Sequence, residues 1–209
     1  AMNDMWLLRD YTDLSQVTWL QVHSVSDQPV SRGFHATWLV GFNLFIHGGE
    51  GPSGLGIASV RSDTWSYDIF TLVWTRYGSS DASPAASMLS VTPLSESTAV
   101  SFGGMGKDST PTDNCVFFDV KGVWTESDPA GTMPPRSAGH AAIYDPDSYQ
   151  MIISFGMEAG PKLLDDQWIL NLVTMVWICS EGSSRQCLAD KRLRGVMTTG
   201  VSLADKRLR

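Results

Sequence analysis

Short apolar runs that stop on glycine, each followed by a segment of alternating polar and apolar residues, recur three times along the 209-residue chain. The runs are Leu44-Phe45-Ile46-His47-Gly48-Gly49, Ala99-Val100-Ser101-Phe102-Gly103-Gly104 and Ile152-Ile153-Ser154-Phe155-Gly156-Met157. The alternating segments are Asp63-Thr64-Trp65-Ser66-Tyr67-Asp68, Asn114-Cys115-Val116-Phe117-Phe118-Asp119 and Asp166-Gln167-Trp168-Ile169-Leu170-Asn171. Each set closes on a tryptophan: Trp74, Trp124 and Trp177. Alternation with a period of two predicts strands with one apolar face. Glycine at a strand end predicts positive φ or a crowded backbone. The chain is therefore expected to be almost purely β, with the three tryptophans buried at equivalent places.

A repeat of about 50 residues carrying these marks is a propeller signature. The glycine doublets, alternating strands and spaced tryptophans together resemble the kelch family, in the variant whose units open with Arg and His, as at Arg32/His35 and Arg136/His140. The resemblance covers nearly the whole chain. It implies an all-β fold: a kelch-type β-propeller, or an open propeller segment, built of four-stranded antiparallel blades. Residues 32–180 divide into three such units, from about Arg32 to Tyr77, Ala85 to Glu126 and Arg136 to Ser180.

The ends are ragged. Within residues 1–31, Asp4-Met5-Trp6-Leu7-Leu8-Arg9 matches Asp63 to Asp68 and Trp19 matches Trp74, so this stretch reads as the outer half of a first blade and a connection. Residues 181–209 form a basic end in which the opening of another blade is discernible from Arg194 to Leu203. Two readings stay open. Both ends share one blade and close a four-bladed ring, or the chain is a piece of a larger propeller whose missing blades are supplied elsewhere, as by another chain, or lost. The verbatim repeat of Leu188–Arg194 as Leu203–Arg209 belongs to neither pattern.

Charge narrows the partners. The chain carries a net −7, yet residues 185–209 are basic, so the body before them is more acidic still. An acidic body repels phosphate and argues against nucleic acid. No apolar run is long enough for a membrane-spanning helix, and no signal peptide is visible, which with sparse cysteine suggests a cytoplasmic, reducing setting. Of the three cysteines, Cys115 reads as a core filler; Cys179 either fills its own strand or bridges to Cys187.

No chemistry stands out. His35 and His140 repeat from unit to unit, which marks architecture more than catalysis; His47 is placed to line a central channel. Nucleophile elbows, phosphate loops and zinc or calcium spacings are absent. No catalytic residue, cofactor or metal ligand is assigned. Attention passes to the loops after the glycines, Glu50–Ser62, Met105–Asp113 and Met157–Asp165. Equivalent loops of a repeat array emerge on one side. Their candidate partner-binding residues are Glu50, Leu55, Ile57, Arg61, Met105, Lys107, Asp108, Met157, Glu158, Lys162 and Leu163. Mixed charge with apolar tips suits a protein partner. The expected role is a non-catalytic scaffold or adaptor; the rivals are a structural subunit of a larger complex and, from the enzyme side of the family, a sugar-modifying enzyme.

Overall fold

The computed structural model describes residues 4–9, 12, 15–24, 26–52, 58–78, 80–160 and 162–180. Among them the chain is all-β, with 17 strands and no helix. A two-stranded hairpin comes first, β1 (Met5–Arg9) with β2 (Thr18–Val22). The first four-stranded sheet contains β3 (Ala36–Val40) and β4 (Asn43–His47); after the small hairpin β5 (Glu50–Pro52) and β6 (Ala58–Val60) come β7 (Thr64–Asp68) and β8 (Val73–Tyr77). The second contains β9 (Ser90–Pro93), β10 (Thr98–Phe102), β11 (Cys115–Asp119) and β12 (Val123–Ser127). The third follows the two-residue strand β13 (Ala130–Gly131) and contains β14 (Ala141–Asp145), β15 (Gln150–Ser154), β16 (Gln167–Asn171) and β17 (Val176–Cys179); β13 pairs in parallel on the outer edge of β17. Within each four-stranded set, strands follow chain order and run antiparallel.

Alternation explains why these sheets stack. In β10, Val100 and Phe102 point to one side, and Ala99 points to the other. The first pair meets Met151, Ile153, Trp168, Leu170 and Trp177 of the third sheet. Ala99, with Val116, Phe118 and Trp124, meets Trp38, Val40 and Phe45 of the first sheet. The middle sheet is thus buried on both faces. The innermost strands β3, β9 and β14 lie side by side in sequence.

The tryptophans occupy one register position. Trp74 lies opposite Tyr67, Trp124 opposite Phe118 and Trp177 opposite Leu170. Trp124 and Trp177 are buried as expected, packing edge-on against Trp38 and Phe102 respectively. Trp74 is only half-buried, a departure from the expectation. Its side of the first sheet faces the hairpin β1–β2, which has two strands where the other interfaces have four. The segment 181–209, and with it ring closure and Cys187, lies outside the described residues. Cys179 is disulfide-bonded, its partner lying outside the described residues, whereas Cys115 is a free buried thiol.

Replacing Trp124 with alanine removes a core side chain between two sheets and is expected to cost about 3–5 kcal/mol in chemical denaturation. Trp74→Ala should cost clearly less. Equal losses at both sites would contradict the packing described.

Candidate functional site

The three candidate loops leave the same end of their sheets, and backbone hydrogen bonds tie their stems together. The residue after each glycine pairs with the opening of its own unit: Glu50 with Gly33, Met105 with Ser87 and Met157 with Ala138. The second glycine then reaches the next unit. Gly49 N–H donates to the Ala86 carbonyl and Gly104 N–H to the Ser137 carbonyl, each at 2.9 Å. A second line runs beside the first, from Met88 N–H to the Phe34 carbonyl and from Gly139 N–H to the Met88 carbonyl, each at 2.8 Å. The stems therefore form a continuous belt across the three sheets.

This belt explains the glycines. A Cβ on Gly48 would stand 2.4 Å from the Ala86 carbonyl oxygen, and one on Gly103 equally close to that of Ser137. Both glycines also have positive φ. The third unit departs from the sequence pattern, in which Gly156 matches Gly48 and Gly103. Gly48, Gly103 and Phe155 are the residues whose N–H donates to Asp63, Asn114 and Asp166 respectively. Phe155, not Gly156, thus holds the place of the first glycine, at φ 65° and with its side chain exposed.

Of the candidate residues on the belt, Lys107, Asp108, Lys162 and Leu163 are exposed, whereas Glu50, Arg61, Met105, Met157 and Glu158 are partly buried. Leu163 is 78% exposed and pairs through its backbone with Met157. Glu158 and Lys162 form an ion pair at 2.8 Å. Lys107 is exposed, and the Asp108 carboxylate accepts from the Thr110 hydroxyl at 2.7 Å, a bond that holds it below the usual carboxylate range. Arg61 follows β6 and donates to the Pro52 carbonyl at 3.1 Å, bracing the first loop. Met105 and Glu50 are partly buried in the stems. Leu55 and Ile57 lie outside the described residues.

Beneath the belt the polar side chains are structural. Arg32 donates two hydrogen bonds to Asp63, at 2.8 and 2.9 Å, and a third to the Gly48 carbonyl. Burial alone would push the Asp63 carboxyl up; the bonds from Arg32 and Trp65 outweigh it and hold the group at about 2. Arg136 does not repeat this pairing: it approaches Asp113 of the preceding unit at 3.4 Å, largely exposed.

His47 does not line a channel. It is fully buried with its ring 4.4 Å from Trp124. Its Nε2 lies 2.8 Å from the Pro84 carbonyl, which can only accept, so Nε2 carries the proton. Nδ1 then accepts from the Thr64 hydroxyl, whose oxygen accepts from Trp124 Nε1. This chain joins the first sheet to the second through one neutral imidazole. His140 makes a comparable link, with Nε2 at 2.8 Å from the Ser90 hydroxyl in the preceding sheet. Sequence patterning found the histidines but missed Thr64, Ser90 and the carbonyls of Ala86 and Ser137. The repeated Ala86-Ser87 and Ser137-Ala138 pairs of small residues were the available signal.

Among the described residues no group of three or more His, Cys, Asp or Glu side chains could hold a metal ion. An open polar cleft of about 720 Å³ between β2 and the first sheet is lined by Asp4, His23, Asp27 and Trp65, among others. Asp4 in that cleft already accepts from Trp6 Nε1.

No family model matches the chain. Over 190 residues, 90% of this chain, it is 25% identical to Acyl-CoA-binding domain-containing protein 4 of Arabidopsis thaliana. Over 174 residues, 79% of this chain, it is 25% identical to Acyl-CoA-binding domain-containing protein 5 of the same plant. The chain spans about a quarter of the length of these relatives, 27% and 24%.

The buried histidines make stability depend on pH. Burial lowers both His47 and His140 from 6.5 to about 4. The unfolded chain binds these protons first, so stability is full above pH 6.5 and declines as pH falls from 6.5 to 4, by about 3 kcal/mol per histidine. Asp63 adds its own loss only below its ordinary 3.8. Denaturation midpoints at pH 7, 5.5 and 4.5 check this; a flat profile would mean that neither imidazole is buried neutral.

Proposed function

We propose that the chain is a segment of a kelch-type β-propeller that serves as a non-catalytic protein-interaction scaffold, with its loop rim as the binding surface. The observation that carries this reading is the belt: three equivalent loop stems held in one continuous line, with exposed Leu163 beside charged residues. The radial, propeller-like arrangement is supported by the neighbouring innermost strands and by sheet-on-sheet burial through equivalent faces. Rigid stems with variable tips are how repeat proteins build binding faces on a constant frame. Leu163 is a natural anchor, since an exposed leucine on an ordered stem gains from being covered by a partner without a large cost in ordering.

The relatives' names refer to an acyl-CoA-binding domain. Because the match covers only about a quarter of each, that activity is not transferred to this segment; an acyl-CoA titration of the chain is the direct control. A role as a structural subunit of a larger assembly is the second reading, favoured by apolar residues left exposed at both ends of the sheet array.

Met105→Ser and Leu163→Ser together should weaken capture of a partner protein from native extract by about tenfold or more, a change of roughly 1.4 kcal/mol. The melting temperature should stay nearly unchanged. Unaltered capture by the double variant would move the interface off the rim.

A further inference from the structure

Each four-stranded sheet has a second end, away from the belt, where two hairpin turns meet. In the first sheet the β3–β4 turn and the β7–β8 turn are joined there, Ile69 N–H donating to the Phe42 carbonyl at 3.1 Å. The second sheet repeats the bond from Val120 N–H to the Ser97 carbonyl, and the third from Leu172 N–H to the Tyr149 carbonyl, each at 3.0 Å. Phe42, Ser97 and Tyr149 therefore hold one position. Phe70, Lys121 and Val173, each one residue after the donor, hold another.

The turns do not require an apolar residue at either position, since Ser97 and Lys121 fill them in the second sheet. The first sheet nevertheless places Phe42 and Phe70 there, 59% and 70% exposed, with their rings in edge contact at 4.6 Å. Ile69 and Leu72 of the same turn are exposed as well. In the third sheet the two positions hold Tyr149 and Val173, again exposed. Units of the array pack on sheet faces, as the second sheet does on both sides. Phe42 and Phe70 lie in turns beyond the strand ends, so their exposure does not depend on where the array begins or stops.

Charge says what fits on these tips. The Asp68 carboxylate accepts from Thr71 N–H at 2.8 Å and from Phe70 N–H at 2.9 Å. Asp145 accepts from the Ser148 hydroxyl and from Asp147 N–H. These bonds hold both carboxyls below the usual carboxylate range, so each turn carries a fixed negative charge beside its apolar tip. Across the six turns and the strand residues that bound them, the charged side chains are Asp68, Glu96, Asp119, Asp145 and Asp147 against Lys121 alone. The loops at the belt end mix both signs. An acidic surface with apolar tips repels anionic lipid headgroups and attracts cationic side chains.

We infer that this turn end, centred on the Phe42–Phe70 pair, is a docking surface separate from the loop rim, for a basic amphipathic segment of a partner protein in which leucine-like side chains alternate with arginine or lysine. The apolar side chains of such a segment cover the aromatic pair, and its cations face Asp68 and the neighbouring carboxylates. Aromatic anchors are where interface energy concentrates, and turns already braced by their own hydrogen bonds lose little freedom on binding. The inference does not rest on the rim.

The test is fluorescence anisotropy of a labelled peptide of alternating leucine and arginine, titrated with the full chain at two salt concentrations. The wild type should bind it, and a peptide of alternating leucine and glutamate should not bind. Phe42→Ser with Phe70→Ser should weaken binding by about tenfold or more, with the circular-dichroism spectrum and melting temperature unchanged. Glu96→Gln with Asp147→Asn should weaken it less and flatten its salt dependence. The rim variant, Met105→Ser with Leu163→Ser, should bind as the wild type does. Undiminished binding by the Phe42/Phe70 variant overturns the proposal. So do phosphatidylcholine vesicles that sediment the wild type but not this variant, since the occupant is then a lipid surface. Self-association that the same variant abolishes also overturns it, by making a second copy the occupant. Finally, Phe70→Cys should react with a maleimide in the native full chain, where Cys115 is buried; a protected thiol there would mean that the chain covers its own tip, and the proposal fails.

Discussion

The arrangement of the sheets depends on one close approach: the carbonyl of each unit's opening segment set against the glycine that ends the second strand of the unit before it. Ala86 does this at Gly48 and Gly49, and Ser137 at Gly103 and Gly104. The approach leaves no room for a Cβ, which is why glycine stands there. Its consequence is that successive sheets are joined by backbone and not only by side chains. Hydrophobic packing is non-directional, and by itself would tolerate sliding of one sheet on another. The backbone belt removes that freedom, and the tryptophans then fall on the same rows each time.

The buried polar groups reinforce the same joints. Trp124, Thr64, His47 and the Pro84 carbonyl run from the second sheet through the first to the connecting segment. Each donor meets an acceptor only while the imidazole is neutral. A buried network that is fully satisfied specifies one packing, whereas an unpaired member is costly. His47, expected at a channel, and His140, expected to be architectural, are therefore both part of the seams between sheets.

Phe155 is the informative exception. It replaces the first glycine in the only unit whose following neighbour is absent from the described structure, and it stays exposed at positive φ.

The amino-acid sequence by itself determined the strands, their grouping in fours and the register position of the tryptophans, because these follow from local alternation and from glycine at strand ends. It also placed the loops at equivalent points. Several things were decided only by tertiary structure. Trp74 and Trp177 look alike in sequence, yet one is half-buried and the other buried, since burial depends on how many strands the neighbouring sheet offers. Gly156 seemed to match Gly103, but hydrogen bonding to Asp166 puts Phe155 there. His47 was read as exposed to a channel and lies in a seam. The Phe42–Phe70 pair was invisible along the chain, where its members stand 28 residues apart; it exists only after the strands are placed in register and the two turns are joined at the end of the sheet.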